Sequence, residues 1–187
     1  TMLDDRGRRL SVGWIRETRP EAGLLRAGWA GVQSIPRVLS LDDQNRVTMQ
    51  PVSELEMLRT THYHYGEMQI NGTTSLDVTA SGLDIEVFFN VEAGGECGLR
   101  IGFSEDGKES ITIGWDAARQ SLYTHAVSLD YGAQQQEALH GIRPGEPLDI
   151  RILLDGSVVE VIANQRTSLT ARVYPSDAAN SQLEVFG

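Results

Sequence analysis

The chain has 187 residues, 40% of them hydrophobic and 22% charged, with 16 basic against 26 acidic side chains and a net charge of -10. That length holds one ordinary domain, or one domain and part of another, and excludes two full enzyme domains; the composition excludes a disordered or collagen-like chain. The acidic balance repels phosphate backbones and anionic lipid, and no apolar run reaches membrane-spanning length, so neither nucleic acid nor a membrane is an expected partner.

In chain order, Thr1-Met2-Leu3-Asp4-Asp5-Arg6 carries charge where a signal peptide would carry its apolar stretch, so no targeting segment is expected here and the compartment stays open. Arg9 to Glu17 and Pro36 to Leu41 read as strands. The helical signal is Ser53-Glu54-Leu55-Glu56-Met57-Leu58, where Ser53 can cap a turn or two of helix and Glu56 can close a capping box. Beyond it, strict alternation takes over. Leu83, Ile85, Val87, Phe89 and Val91 alternate with polar or outward positions, as do Leu99, Ile101 and Phe103, then Ile111, Ile113 and Trp115. Leu148 to Leu154, Val159 to Ala163 and Leu169 to Val173 repeat the pattern. Turn signals fall at Gly94-Gly95, Asp106-Gly107, Asp155-Gly156 and Asn164-Gln165, the spacing of an antiparallel sandwich. Residues 1–50 cannot bury a core as an isolated hairpin. The expected organisation is therefore residues 1–50 as part of a larger unit, 51–66 as a connector with the short capped helix, and 67–187 as a complete sandwich.

Several motifs, in order, carry a resemblance. Gly7-Arg8-Arg9-Leu10 leads to Gly13-Trp14, then Ala27-Gly28-Trp29-Ala30-Gly31, Ser34-Ile35-Pro36-Arg37, and Pro51-Val52-Ser53-Glu54-Leu55 to Leu58-Arg59. Later, Leu154-Asp155-Gly156-Ser157-Val158-Val159-Glu160-Val161-Ile162-Ala163-Asn164 is followed by Leu169 to Tyr174-Pro175. This series resembles the closing part of glycoside hydrolase family 32, the invertases, levanases, inulinases and related β-fructosidases. The resemblance implies an all-β fold: the remnant of a last propeller blade and one short helix, then a two-sheet antiparallel β-sandwich of jelly-roll, concanavalin A-like type. The sequence departs from the family where Gly156 replaces a usual arginine, where Ile162 stands near a usual phenylalanine, and where Thr124-His125-Ala126 replaces Asp-Arg-Ser.

Retaining glycoside hydrolysis needs a carboxylate nucleophile and a second carboxyl about 5–5.5 Å away as acid/base. In the family these lie in Asn-Asp-Pro-Asn-Gly and Glu-Cys motifs, with a stabilising aspartate in Arg-Asp-Pro. The first and third motifs occur nowhere in this sequence, and Glu96-Cys97 matches the second only by its two letters, downstream of strands it should precede. No catalytic residue is assigned, and Glu96 reads as a turn carboxylate. Trp14 is the candidate substrate-binding residue, because the family places a tryptophan of the Gly-Trp strand near the fructose pocket; the competing reading is packing between strands. Trp29 and Trp115 read as packing residues. His62 and His64 would share a face if extended, but with no third ligand nearby they read as polar packing, not a metal site. The pairs Asp4-Asp5, Asp42-Asp43 and Glu105-Asp106 flank turns and read as solvated; Asp155 reads as a turn residue and Glu160 as a carboxylate held by a cross-strand basic partner. Cys97, the sole cysteine, forms no intrachain disulfide.

The expected function is that of the non-catalytic C-terminal portion of a family 32 fructoside hydrolase, a shortened chain or a truncated gene's product, needing neither metal nor organic cofactor. The alternatives are a stand-alone carbohydrate-binding module and a scaffold or assembly domain. Expected partners are a fructoside or other glycan, the remainder of the propeller in a parent enzyme, and a second copy, since residues 1–50 would leave strand edges open and form a homodimer.

Overall fold

A computed structural model of the chain describes residues 1–78, 82–91, 95–102, 104, 108–176 and 182–187, and the chain falls into two compact units, Thr1–Thr61 and His62–Gly187. The first unit runs through β1 (Met2–Leu3), β2 (Arg9–Ser11), β3 (Trp14–Ile15), α1 (Glu21–Ala27), β4 (Val32–Gln33), β5 (Arg37–Leu41) and β6 (Val47–Pro51). Strands β1, β2, β5 and β6 form one antiparallel sheet in that order, and β3 pairs with β4 in a separate ribbon. The single strand expected over Arg9 to Glu17 is thus two strands in two sheets. The break is at Val12–Gly13, where Gly13 N–H donates to Ser34 Oγ at 2.8 Å and Ser34 N–H returns a bond to the Gly13 carbonyl.

Two hairpin turns in this unit share one device. Asp4 Oδ1 accepts from the backbone N–H groups of Arg6 and Arg8, and the Arg8 guanidinium bonds Asp4 Oδ2 at 2.8 Å. Asp42 does the same with Gln44, Arg46 and the Arg46 guanidinium, with Gly7 and Asn45 taking the left-handed backbone at φ 75° and 58°. Asp4 and Asp42 are therefore turn-closing groups and not the solvated carboxylates expected. Hydrogen bonding from the Arg46 backbone, reinforced by Gln44 and the Arg46 guanidinium, outweighs burial and holds the Asp42 carboxyl below its ordinary range.

The expected capped helix is a 3-10 turn over Ser53–Leu58, and its capping box does not form: Val52, in extended conformation, occupies the cap position and makes no side-chain cap bond. Glu54 instead receives the Arg6 and Arg8 guanidinium groups at 2.9 and 2.7 Å, and the Arg8 bonds pull its carboxyl down to about 2. The helix α1 was not expected. Its signals are Pro20 at the entry and Gly28 in the left-handed conformation at the exit, where Gly28 N–H bonds the Leu24 carbonyl. Only Gly23, Pro51 and Val52 are buried in this unit, so it has no sizeable apolar core of its own.

The second unit is a sandwich. It comprises β7 (Thr73–Leu76), β8 (Gly82–Phe89), β9 (Glu96–Ile101), β10 (Ser110–Asp116), β11 (Ser121–Ser128), β12 (Gly132–Leu139), β13 (Leu148–Asp155), β14 (Val158–Ala163), β15 (Thr167–Arg172) and β16 (Leu183–Phe186). One sheet has the order β12-β11-β10-β9-β16-β7, the other β15-β14-β13-β8, and every pairing is antiparallel. Register follows the apolar alternation. Ile101, Leu99 and Cys97 face Ile111, Ile113 and Trp115 across β9 and β10, while Ile85, Ile152, Val161 and Leu169 align across the other sheet. Leu99, Ile101, Ile113, Ile150, Ile152, Val159, Val161, Leu169 and Val173 are buried as the alternation predicts, with Ile85, Val87 and Phe89 half-buried on the edge strand β8. Gly156 and the pair Asn164-Gln165 make the left-handed turns expected at those positions. Phe103, Gly94, Glu105 and Asp106-Gly107 lie outside the described residues.

At one end, a buried polar network closes the β14–β15 turn. His140 sits between Thr167 Oγ1, 2.9 Å from Nδ1, and Asn164 Oδ1, 3.0 Å from Nε2, while its carbonyl accepts the Trp115 indole N–H at 2.9 Å. The Asn164 side-chain N–H groups reach the Pro147 carbonyl. Burial pushes the His140 imidazole below its ordinary value, and the Asn164 bond only partly offsets this. In the unfolded chain the ring protonates near pH ~6.5 and in the fold only at lower pH, so the unfolded state binds the extra proton first. Stability should be full above about pH 6.5 and fall as pH drops below it, by at most ~1.4 kcal/mol per pH unit from this group. Urea unfolding between pH 7.5 and 5 should show that slope, and His140→Gln should flatten it; an unchanged slope would place the acid sensitivity elsewhere.

The two faces of β13 differ. Ile152 is fully buried, and Ile152→Ala should cost about 2–5 kcal/mol. Arg151, on the other face, makes a two-pronged bond to Asp84 at 2.9 Å with both side chains mostly covered. Arg151→Ala should therefore cost about 1 kcal/mol rather than nothing. Denaturant midpoints check both, and a larger loss at Arg151 would invert the assigned faces.

Candidate functional site

The ribbon of β3 and β4 holds the first unit's aromatic site. Trp14 pairs with Gln33 across the ribbon, and its side chain is 70% exposed. One part of the indole rests against Gly31, whose backbone takes the left-handed conformation at φ 67°; a Cβ there would overlap the indole nitrogen. Trp14 is thus an open aromatic surface backed by a glycine, and it is not packed between strands in this unit. An indole so placed offers an apolar plate for a sugar ring and one N–H donor at its edge.

Trp29 is 45% exposed and lies under the Arg19 guanidinium, 4.3 Å from its carbon to the ring centre. Arg19 also donates to the Trp29 carbonyl at 3.1 Å and forms an ion pair with Glu17 at 2.7 Å, with little of either charged side chain exposed. Cation, ring and carboxylate therefore fix the loop after α1. Sequence reasoning missed this cluster; the alternation Glu17-x-Arg19 just ahead of Pro20 was its only local signal. Trp115 is a core residue.

In the sandwich, Glu96 opens β9 on the outer face of the six-stranded sheet. It is exposed, stands opposite Asp116, and its Oε1 accepts the Tyr123 hydroxyl at 2.6 Å. Burial first, then the bond to Glu96, raises the Tyr123 phenol well above its ordinary value. The Tyr123 ring lies over Gly114, and Phe186 lies over Gly98, the glycine paired with Gly114 across β9 and β10. Asp116 is engaged by Arg119 at 2.7 Å. Glu96 thus anchors a tyrosine on a sheet surface. Its neighbour Cys97 points into the core, where burial and the Glu96 charge push the thiol up to about 12, far from the reactive range.

The remaining candidates are dispersed. His62 and His64 lie in an irregular exposed stretch with ring centres 6.5 Å apart, and the described residues contain no group of three His, Cys, Asp or Glu side chains placed to hold a metal. Asp155 is exposed at the β13–β14 turn. Glu160 is buried on β14, with Leu153 and Thr170 as its register partners in the two neighbouring strands.

Comparison with known proteins places both units. The family model for the C terminus of glycosyl hydrolases family 32 matches residues 54–187, and the model for that family's N-terminal domain matches residues 1–51. A beta-fructofuranosidase, insoluble isoenzyme, of Arabidopsis thaliana is 31% identical over 96% of this chain and 39% of its own length. A fructan 6-exohydrolase of Beta vulgaris is 26% identical over 98% of this chain and 38% of its own, so the chain spans about two fifths of these relatives. The crystal structure of fructan 1-exohydrolase IIa from Cichorium intybus shares the fold with a TM-score of 0.83 at 24% identity, covering 99% of this chain and 43% of that one. Exo-inulinase from Aspergillus awamori shares it with a TM-score of 0.79 at 18% identity over 96% and 37%. With that C-terminal family model matching residues 54–187, most of the chain, and with the motif series and the two-sheet sandwich in agreement, the chain belongs to glycoside hydrolase family 32 as a fructosidase-like C-terminal region.

Proposed function

We propose that these 187 residues are the non-catalytic, closing portion of a fructoside hydrolase, in which residues outside them carry the retaining chemistry and the sandwich supports the propeller. The observation that carries this is the position of Glu96. It is the one residue with a letter match to the acid/base motif, and it holds a phenol on a sheet surface. Neither the Asn-Asp-Pro-Asn-Gly nor the Arg-Asp-Pro motif stands elsewhere in the chain. Trp14, open on one side, is the residue through which this portion would contribute to a fructose pocket. The binding-module alternative has less support. Among the described aromatic residues on the sandwich strands only Phe88 is exposed, and one ring is not a platform.

The purified chain should release no fructose from sucrose, inulin or levan, because retaining hydrolysis needs both carboxyl groups. Glu96→Gln should leave that blank unchanged. Release above the blank that a single substitution within this chain abolishes would overturn the reading.

The same reading extends to association. Strands β1 and β6 are the open edges of their sheet, and Met2, Leu3, Leu41 and Val47 beside them are all more than half exposed. An open edge flanked by apolar side chains is a template for another strand, and a second copy supplies one under two-fold symmetry. The chain should sediment as a dimer, and Leu3→Lys combined with Val47→Lys should return it to monomer. A monomer at high concentration, or a dimer that survives both substitutions, would show that residues 1–50 are not the interface.

A further inference from the structure

The sandwich opens with a surface feature unrelated to fructoside chemistry. Of the five asparagines in the chain, Asn45, Asn71, Asn90, Asn164 and Asn180, only Asn71 begins an Asn-X-Ser/Thr triplet, Asn71-Gly72-Thr73. We propose that Asn71 is an N-glycosylation site and that its carboxamide carries an oligosaccharide when the chain is made through a secretory compartment.

Three features of the fold favour it. Asn71 and Thr73 are both exposed, and no hydrogen bond joins either side chain to the described residues. The backbone between them is an outward bend: Gly72 has φ 88° and is locked to Gly187 by bonds in both directions, at 2.9 and 3.1 Å. Space around the bend is open, because a Cβ added at Gly72 would meet nothing within 4 Å. Transfer takes place on the nascent chain, so the folded product must then have room for a bulky neutral group, and this bend provides it. Asn164, by contrast, is committed to the His140 network, and no hydroxyl residue stands two positions after it. Asn71 also sits just before β7, an edge strand of the six-stranded sheet, so a glycan there would stand over an open edge.

In the transfer, Asn71 Nδ2 bonds to the anomeric carbon of an oligosaccharide carried on a polyprenyl pyrophosphate. The anomeric C–O bond breaks, the pyrophosphate leaves with the electron pair, and Nδ2 gives up one proton. Thr73 supplies the hydroxyl that the transferase requires two residues beyond the asparagine.

The test is expression of the full chain in yeast behind a cleavable secretion leader, with secreted and cell-retained protein pooled. Treatment with peptide:N-glycosidase in heavy-oxygen water should collapse the band in a single step and leave labelled aspartate at position 71 by mass spectrometry. Asn71→Gln and Thr73→Val should abolish the shift, while Thr73→Ser keeps it, which separates loss of the acceptor from loss of the fold. A pooled wild-type chain that shows no shift, or a shift that persists in Asn71→Gln, would overturn the proposal.

Discussion

The burial of one sheet face against the other is the interaction on which the sandwich depends. A strand of alternating apolar residues has one face that must leave water, and only a second such sheet can cover it over its whole length. Ile113 and Leu99 from one side meet Ile152 and Val161 from the other, all of them out of solvent. Once that layer is fixed, a register slip of one residue would turn every buried isoleucine outward, so the pairing of β8 with the distant β13 is set by the same layer. The first unit lacks this constraint. Its sheet is held by local devices instead, two aspartate-closed turns and an arginine that ties one of them to Glu54.

How far the fold was legible follows from this difference. Strands β8, β9, β10, β13, β14 and β15 announce themselves because each has one clean apolar face. Strands β11 and β12 do not. The core face of β11 carries Thr124 and Ser128 among its apolar residues, and β12 is an edge strand reading Gln134-Gln135-Gln136-Glu137, polar on both faces. No period of two survives in such a stretch, and its assignment rests on hydrogen bonding to β11. The helix α1 escaped notice because seven residues give too few turns for a helical period, although its proline and glycine boundaries stand in plain view. At Ser53 the capping rule fails because Val52 takes the cap position and Ser53 is already the first residue of the 3-10 turn. Glu54 is drawn to two arginines almost fifty residues upstream, a long-range pairing that no capping rule contains.

The site residues divide along the same line. Trp14 is a candidate through a motif, and its indole rests against a glycine that the same motif series contains, Gly31. The Arg19, Glu17 and Trp29 cluster depends on the chain doubling back around α1, and sequence alone gives no sign of which side chains such a loop brings together. Fold similarity to relatives at low identity has a corresponding cause: the burial pattern can be kept with many different apolar residues, whereas loop clusters cannot.

The glycine pair beneath Tyr123 and Phe186 has an evolutionary consequence. A Cβ at Gly98 would fall on the backbone of Ile113 and Gly114, and one at Gly114 would displace the tyrosine ring. The first collision is with backbone and the second with the outer end of a side chain that can swing aside, so Gly98 is the more tightly held of the two positions. Exchange is therefore easier at the rings than at Gly98, and a smaller side chain in place of Tyr123 would leave room for a Cβ at Gly114.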